Sequence, residues 1–220
     1  MSELVKYSVD QGVATLELHN PPANAYSYEM FQQLDAAILR ARMDTSVHVL
    51  LLRGCGDKFF CAGADIAMLN EATPEFKYYF CLHANETLLR LEQTPKLVIA
   101  AINGHCVGGG FEVAMAADIR VARAGKAKVG LPEVSLGVLP GTGGTQRLTR
   151  LVGKAKALEL MVEGKTLRVA EAAASAWSTR CTKAKTSGRR SPSTRARSAR
   201  QIERHAPWVT SSARCKPAES

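Results

Sequence analysis

Several features that mark secreted, metal-binding or membrane-spanning proteins are missing from this sequence. Its six cysteines, at positions 55, 61, 81, 106, 181 and 215, include no C-x-x-C pair and no metal-like grouping with the five histidines. No apolar run approaches the roughly 20 residues that cross a membrane. The first residues, MSELVKYSVDQG, lack a basic segment followed by an apolar one. We therefore expect a cytoplasmic protein with reduced cysteines, no bound metal and no membrane association.

The first three quarters of the chain also lack a net charge. Residues 1–165 carry 17 Lys and Arg against 17 Asp and Glu, whereas residues 166–220 carry 12 against 3, so the whole net charge of +9 lies in the last quarter. We therefore predict a folded core over residues 1–165. Residues 166–220 are predicted to be a remnant of a C-terminal helical region followed by a basic tail, loosely packed or disordered because it has too little apolar surface to offset its ordering entropy.

Predicted strands and helices alternate along the core. Two alternating strands flank a turn at 10–12, and Ser27 is a plausible N-cap for a helix whose apolar residues are Met30, Phe31, Leu34, Ala37, Ile38 and Ala41. Further helices are predicted for PEFKYYFCLHANETLLRLEQ and KAKALELMVEG, and further strands for VHVLLLRG, KLVIAAING and DIRVAR. This alternation predicts an α/β domain in which loops at strand ends carry the chemistry.

Three features of the core could support catalysis together. In FFCAGADI (59–66) and VGGGFE (107–112), small residues leave peptide N–H groups open to a ligand, and two such donors aimed at one point form an oxyanion hole. Glu112 and Glu133 could act as a general acid/base pair. Each feature also has a simpler interpretation: a glycine run is often a packing device, and a first-turn glutamate often only compensates the helix dipole. The glycine run does not match the dinucleotide-binding pattern G-x-G-x-x-G.

Three motifs in this order resemble the enoyl-CoA hydratase/isomerase, or crotonase, family: FFCAGADI, NGHCVGGGFEVAMAADIRVA and KVGLPEVSLGVLPGTGGTQRL. The resemblance runs from about residue 4 to about residue 174. It implies a spiral of ββα units that binds an acyl-CoA thioester, no cofactor besides the CoA of the substrate, and a homotrimer or hexamer. It implies that the N–H groups of Ala64 and Gly109 bind the thioester oxygen, and that Glu112 and Glu133 hold a water. The further substrate-binding residues that it implies are Ala62, Asp65, Ile66, Gly108, Pro132 and Gly141.

The presence of both glutamates favours water addition within this family. The resemblance therefore implies an enoyl-CoA hydratase that converts a 2-enoyl-CoA to a 3-hydroxyacyl-CoA, in which Glu112 activates water and Glu133 protonates C2. The alternatives are an enoyl-CoA isomerase, a ring-opening hydrolase or an inactive truncated product. Two basic residues common in the family are absent: Ala67 follows AGADI where a lysine is common, and the loop PPANA carries no basic residue.

From about residue 175 the sequence departs from the family pattern. Suitable codons for STRCTKAKTSGRR, shifted by one base, encode VDEVYEGEDFWAK, which resembles a family continuation. We therefore hypothesise a frameshift, which independent sequencing of the gene would test. A frameshift would leave the trimer interface and the acyl pocket incompletely formed. The rival hypothesis is a basic arm that binds RNA, although only Trp177 and Trp208 offer it aromatic stacking partners.

Overall fold

The computed structural model describes residues 2–174 and the backbone of residues 180–182. The strands are β1 (Val5–Asp10), β2 (Val13–Leu18), β3 (Val49–Gly54), β4 (Phe59–Cys61), β5 (Leu97–Ile102), β6 (His105–Val107), β7 (Ile119–Arg123), β8 (Lys128–Gly130), β9 (Thr166–Arg168) and β10 (Arg180–Thr182). The helices are α1 (Tyr28–Met43), α2 (Ile66–Glu71), α3 (Pro74–Glu92), α4 (Gly109–Met115), α5 (Gly144–Val152), α6 (Lys154–Val162) and α7 (Val169–Ala174), with a 3₁₀ turn at Glu133–Leu136.

The strands form two sheets, and the chain alternates between them. The larger sheet has the order β1-β2-β3-β5-β7-β10 and is parallel except for the β1–β2 hairpin, and the smaller sheet has the order β4-β6-β8-β9. Each of β3, β5 and β7 continues into β4, β6 or β8 of the smaller sheet and then into a helical segment. Three ββα units therefore follow one another, which confirms the predicted α/β spiral of ββα units.

The central strands are apolar throughout because both faces of the larger sheet are covered. Side chains alternate across a strand, so Leu50 and Leu52 of β3 pack in the main core while Val49 and Leu51 pack in a second cluster on the opposite face. Helix α1 packs on the main-core side and buries the six apolar residues predicted for it, and the side chain of Ser27 caps its N-terminus. The loops of the site leave from the ends of β4, β6 and β8 in the smaller sheet.

The segment after residue 165 is more ordered than the sequence indicates. Thr166–Arg168 pair antiparallel with β8, and Val169 and Ala172 of α7 are buried in the main core. The prediction of loose packing was therefore wrong for 166–174, because backbone pairing and one short apolar stripe suffice to dock this segment. Arg180–Thr182 pair parallel with β7.

The remaining predictions for the tail concern residues 175–179 and 183–220, which lie outside the described part of the chain. The frameshift hypothesis, the RNA-binding hypothesis and the proposed division between core and tail therefore stay predictions. Among the described residues, none of the helices combines the length and the apolar character that crossing a membrane requires.

Candidate active site

The two segments predicted to supply amide donors lie side by side. Backbone hydrogen bonds tie the loop after β4 to Tyr26, whose N–H donates to the Gly63 carbonyl at 2.9 Å and whose carbonyl accepts from the Asp65 N–H at 2.9 Å. Gly63 has a φ of +99°, and a Cβ added to it would lie 3.2 Å from the Gly109 nitrogen. Neither the Ala64 nor the Gly109 N–H donates a hydrogen bond to another described residue. Two adjacent N–H groups are thus available to a ligand.

Close packing requires glycine at two of the three positions 108–110, namely Gly109 and Gly110. A Cβ at Gly109 would lie 1.8 Å from the hydroxyl of Tyr26, and one at Gly110 would lie 2.2 Å from the carbonyl oxygen of Cys61. Both distances are far below van der Waals contact, so a side chain would push α4 away from β4 and Tyr26. The simpler interpretation of the glycine run is therefore correct, and the same close approach brings the Gly109 amide next to the loop after β4.

Glu112 is buried and surrounded by hydrogen-bond donors. Its Oε1 accepts from the N–H groups of Thr142 at 2.9 Å and Gly144 at 2.6 Å, and its Oε2 accepts from the Thr142 hydroxyl. Burial raises the pKa of this carboxyl, whereas the Thr142 hydroxyl, the two N–H groups and the Arg147 guanidinium lower it. The hydroxyl and the two N–H groups donate hydrogen bonds to the carboxyl and Arg147 acts through its charge, so all four favour the ionised carboxylate over the acid.

Glu133 has the opposite environment. A Cβ at Gly108 would lie 3.3 Å from its Oε1, so its carboxyl lies against the start of α4. Both of its oxygens are buried and neither has a hydrogen-bond partner on another described residue. Burial, with a smaller contribution from the charge of Glu112, raises the pKa of Glu133 to about 7, against a small opposing effect of its own backbone N–H. The two carboxyls thus interact, and the pKa of each is raised by its burial.

The other predicted substrate-binding residues differ in their contacts. The Gly108 N–H donates to the Gly130 carbonyl at 2.9 Å and the Ala62 N–H to the Ala23 carbonyl at 3.1 Å. The Asp65 side chain caps α2 through the N–H groups of Ala67 and Met68, so its carboxylate already has a structural use. The remaining three are Ile66, which is exposed, Pro132, which directly precedes the 3₁₀ turn, and Gly141, whose carbonyl accepts from Asn85 at 2.7 Å.

Sequence reasoning missed the residues that support Glu112. Tyr26 packs against Gly109, and buried Arg147 donates to the Thr142 carbonyl at 2.9 Å while it is paired with Glu92 at 2.9 Å. A Cβ at Gly144 would lie 2.8 Å from Glu112 Oε1. The glycines of LPGTGG were the available signal, because they allow the backbone to approach the carboxylate closely.

A possible metal-binding group lies away from this site and was also missed. One ligand atom each from Glu17, His19 and Cys55 lies within 4.8 Å of the other two. This group is not recognisable in the sequence, because the parallel pairing of β2 with β3 brings Cys55 next to residues that are more than 30 positions earlier in the chain. The Arg53 guanidinium, 3.2 Å from Glu17, already pairs with the carboxylate and would repel a cation.

The sequence profile of the enoyl-CoA hydratase/isomerase family matches residues 8–177. The chain belongs to this family. It is similar to a probable enoyl-CoA hydratase of Bacillus subtilis, with 44% identity over 169 residues that cover 76% of this chain and 65% of the relative. It is also similar to a short-chain-enoyl-CoA hydratase of Clostridium acetobutylicum, with 41% identity over 161 residues, 73% of this chain and 61% of the relative.

Solved hydratase/isomerase structures share the fold. An enoyl-CoA hydratase structure from Geobacillus kaustophilus superposes with a TM-score of 0.82 at 39% identity and covers 94% of this chain and 75% of its own. An enoyl-CoA hydratase structure from Bacillus anthracis superposes with a TM-score of 0.79 at 32% identity, and the match covers 82% of this chain and 70% of that structure's chain. The aligned part of this chain spans a little under two thirds of the length of the curated relatives named above.

Proposed function

We propose that this protein is an enoyl-CoA hydratase that adds water across the C2–C3 double bond of a 2-enoyl-CoA. The observation that carries the proposal is the contrast between the two acids: three hydrogen-bond donors bind Glu112, whereas the carboxyl of Glu133 is buried with no donor on another residue of the described chain. Hydrogen-bond donors favour the ionised form that a base needs, whereas burial without such donors favours the protonated form that an acid needs. The relatives described as enoyl-CoA hydratases support this reaction.

In the proposed mechanism, the N–H groups of Ala64 and Gly109 bind the thioester oxygen. Glu112 removes a proton from water while the water oxygen forms a bond to C3. The electron pair of the C2–C3 double bond moves toward the thioester oxygen, and the two N–H groups stabilise the resulting enolate. Glu133 then gives its proton to C2, and the thioester carbonyl re-forms. The hydroxyl of the water is then bonded to C3 and its proton to Glu112. Glu112 afterwards releases this proton to solvent, and Glu133 takes up a proton from solvent, so both acids return to their starting states.

The proposal includes the binding partners that such a reaction implies. The substrate is an acyl-CoA thioester, and no cofactor besides its CoA takes part in the steps above. A homotrimer in the cytoplasm belongs to the same proposal. The four described cysteines are free thiols, which supports a reducing compartment. An apolar segment after Glu133, with Leu139 82% exposed and Leu136 60% exposed, offers surface for a subunit contact.

Hydration of crotonyl-CoA by the full chain tests the function. We expect the wild-type protein to form 3-hydroxybutyryl-CoA, and Glu112→Gln and Glu133→Gln each to lower kcat by about 100-fold or more, because each removes one proton-transfer group. Glu163→Gln is the matched control, since Glu163 is exposed after α6. Wild-type protein that shifts a double bond without adding water would support an isomerase instead, and full activity in both variants would overturn the assigned roles.

A further inference from the structure

The two oxygens of Glu112 differ in how many hydrogen bonds they accept. Oε1 accepts from two backbone N–H groups, whereas the Thr142 hydroxyl is the one donor to Oε2 among the described residues. A carboxylate oxygen has two lone pairs. Both lone pairs of Oε1 accept a hydrogen bond, whereas one lone pair of Oε2 is still available to a further donor. The oxygen that can take a proton from water is therefore Oε2, the one bonded to Thr142.

Thr142 cannot easily move away from this oxygen. Its side chain is buried, and its carbonyl accepts a hydrogen bond from Arg147 at 2.9 Å. Arg147 is buried in turn and donates to Glu92 through Nε at 3.2 Å and Nη2 at 2.9 Å. The carbonyl of Thr142 is hydrogen-bonded to Arg147 and its N–H to Glu112 Oε1, so its backbone is held at both groups. The hydroxyl therefore moves mainly by rotation about the side-chain bonds.

The hydroxyl of Thr142 has a second neighbour. It interacts with the phenol of Tyr26, which is buried and packs against Gly109. Burial and the charge of Glu112 raise the pKa of this phenol well above its usual range, so Tyr26 keeps its proton. A threonine hydroxyl both donates and accepts, and Thr142 can therefore change its role between Glu112 and Tyr26 without moving its backbone.

We propose that Thr142 is a positioning residue for the hydration reaction: its hydroxyl holds Glu112 Oε2 as the proton-accepting oxygen and turns to accept a hydrogen bond when that oxygen becomes protonated. This inference rests on the proposed function. While Glu112 is ionised, Thr142 donates to Oε2. Once Oε2 has taken the proton of water, the protonated carboxyl donates to Thr142, which donates to Tyr26. No proton passes along the chain of hydroxyls.

Several other titratable groups surround Glu112 and enter any measurement of its titration. They are Glu133 at the 3₁₀ turn, Arg147 on α5, Tyr26 before α1 and Cys81 on α3. Of these, only Arg147 lowers the pKa of Glu112 through its charge. The variants below leave all four unchanged, so a shift in titration reports the loss of the hydroxyl.

The test compares Thr142→Val, which removes the hydroxyl but keeps the shape, with Thr142→Ser, which keeps a hydroxyl. Thr149→Val is the matched control, because Thr149 lies on α5 and its hydroxyl donates to the Thr145 carbonyl of the same helix. In the full chain, the ¹³C signal of the Glu112 carboxyl is titrated and the pH dependence of crotonyl-CoA hydration is measured. We expect Thr142→Val to raise the pKa of Glu112 by about one unit and to lower kcat about tenfold with little change in KM.

The other variants separate positioning from folding. Thr142→Ser should retain near wild-type titration and activity, and Thr149→Val should change neither. If Thr142→Val fails to fold, Thr142→Ala provides the same comparison with a smaller side chain. An unchanged Glu112 titration in a folded hydroxyl-free variant overturns the inference. Wild-type protein that does not hydrate crotonyl-CoA contradicts the proposed function instead, and the carboxyl titration then still decides the role of Thr142.

Discussion

At the scale of single residues, two chemically identical side chains acquire different properties from their surroundings. Glu112 and Glu133 are both largely removed from water, which raises the pKa of each. Within the part of the chain that the structure describes, Glu112 alone of the two receives donors from other residues, namely Thr142 and Gly144, which lie 30 and 32 residues later. The sequence identified both acids, yet their environments were not predictable, because the donors arrive through a loop whose path depends on tertiary packing.

The raised pKa of Glu133 predicts a measurable dependence of stability on pH. Its folded pKa of about 7 lies above the ordinary value of 4.5, so the native state binds this proton more tightly than the unfolded chain. The stabilisation is fully present below about pH 4.5 and is lost as the pH rises through 7. We expect the free energy of unfolding of the wild type to fall by about 1–2 kcal/mol more between pH 5 and 8 than that of Glu133→Gln, after allowance for partial solvent screening.

Urea unfolding at the two pH values measures this difference, and Glu163→Gln, which replaces an exposed carboxyl, provides the comparison. If wild type and Glu133→Gln lose the same free energy of unfolding between pH 5 and 8, Glu133 is ionised in the native state throughout. The predicted acid would then lack its proton in the working pH range.

At the scale of elements, long segments were predictable and short ones were not. The six apolar positions and the Ser27 cap of α1 follow from helical spacing and agree with the structure. By contrast β4, β6, β8 and β9 have three residues each, too few for a periodic pattern, and exist because they pair with one another. The loose packing expected after residue 165 was wrong for the same reason.

The contact between α4 and β4 predicts the effect of enlarging Gly110. Gly110→Ala would place a Cβ 2.2 Å from the Cys61 carbonyl oxygen, a backbone atom that cannot rotate away. We expect a loss of about 3 kcal/mol in the free energy of unfolding, together with reduced hydration activity because α4 carries Gly109 and Glu112. Gly56→Ala is the comparison, since it has open space and a φ of +71°, and should cost only about 1 kcal/mol. Equal costs would show that α4 and β4 separate easily.

At the scale of the whole molecule, charge and chemistry lie in different parts of the chain. Every candidate catalytic residue lies within 1–165, where the net charge is zero, while residues 166–220 carry all of the excess positive charge. The match to solved structures extends over 94% of the chain. The sequence alone predicted the fold of the larger part because its motifs and its ββα order agree with each other.

This separation predicts that tail charge can be changed without changing hydration. In the full chain, we replace Arg189, Arg190, Arg195, Arg197 and Arg200 with glutamine and expect unchanged kcat for crotonyl-CoA. Retention on RNA at 50 mM salt should fall, because such binding depends on released counterions, and wild-type retention should be lost by about 200 mM salt. RNA binding that persists at 200 mM salt and shows sequence preference would favour the RNA-binding arm. Filter binding and the hydration assay measure the two properties.

The order in which the chain leaves the ribosome affects when the loop that binds the Glu112 carboxylate can form. A nascent chain that ends before Thr142 contains both acids, Glu112 on α4 and Glu133 on the 3₁₀ turn, but none of the three donors that bind the Glu112 carboxylate. Until the Thr142–Gly144 loop emerges and docks, burial of Glu112 is opposed by the cost of dehydrating an unpaired charge. The interior next to α4 therefore closes late in synthesis, after the segment that completes the site has been translated.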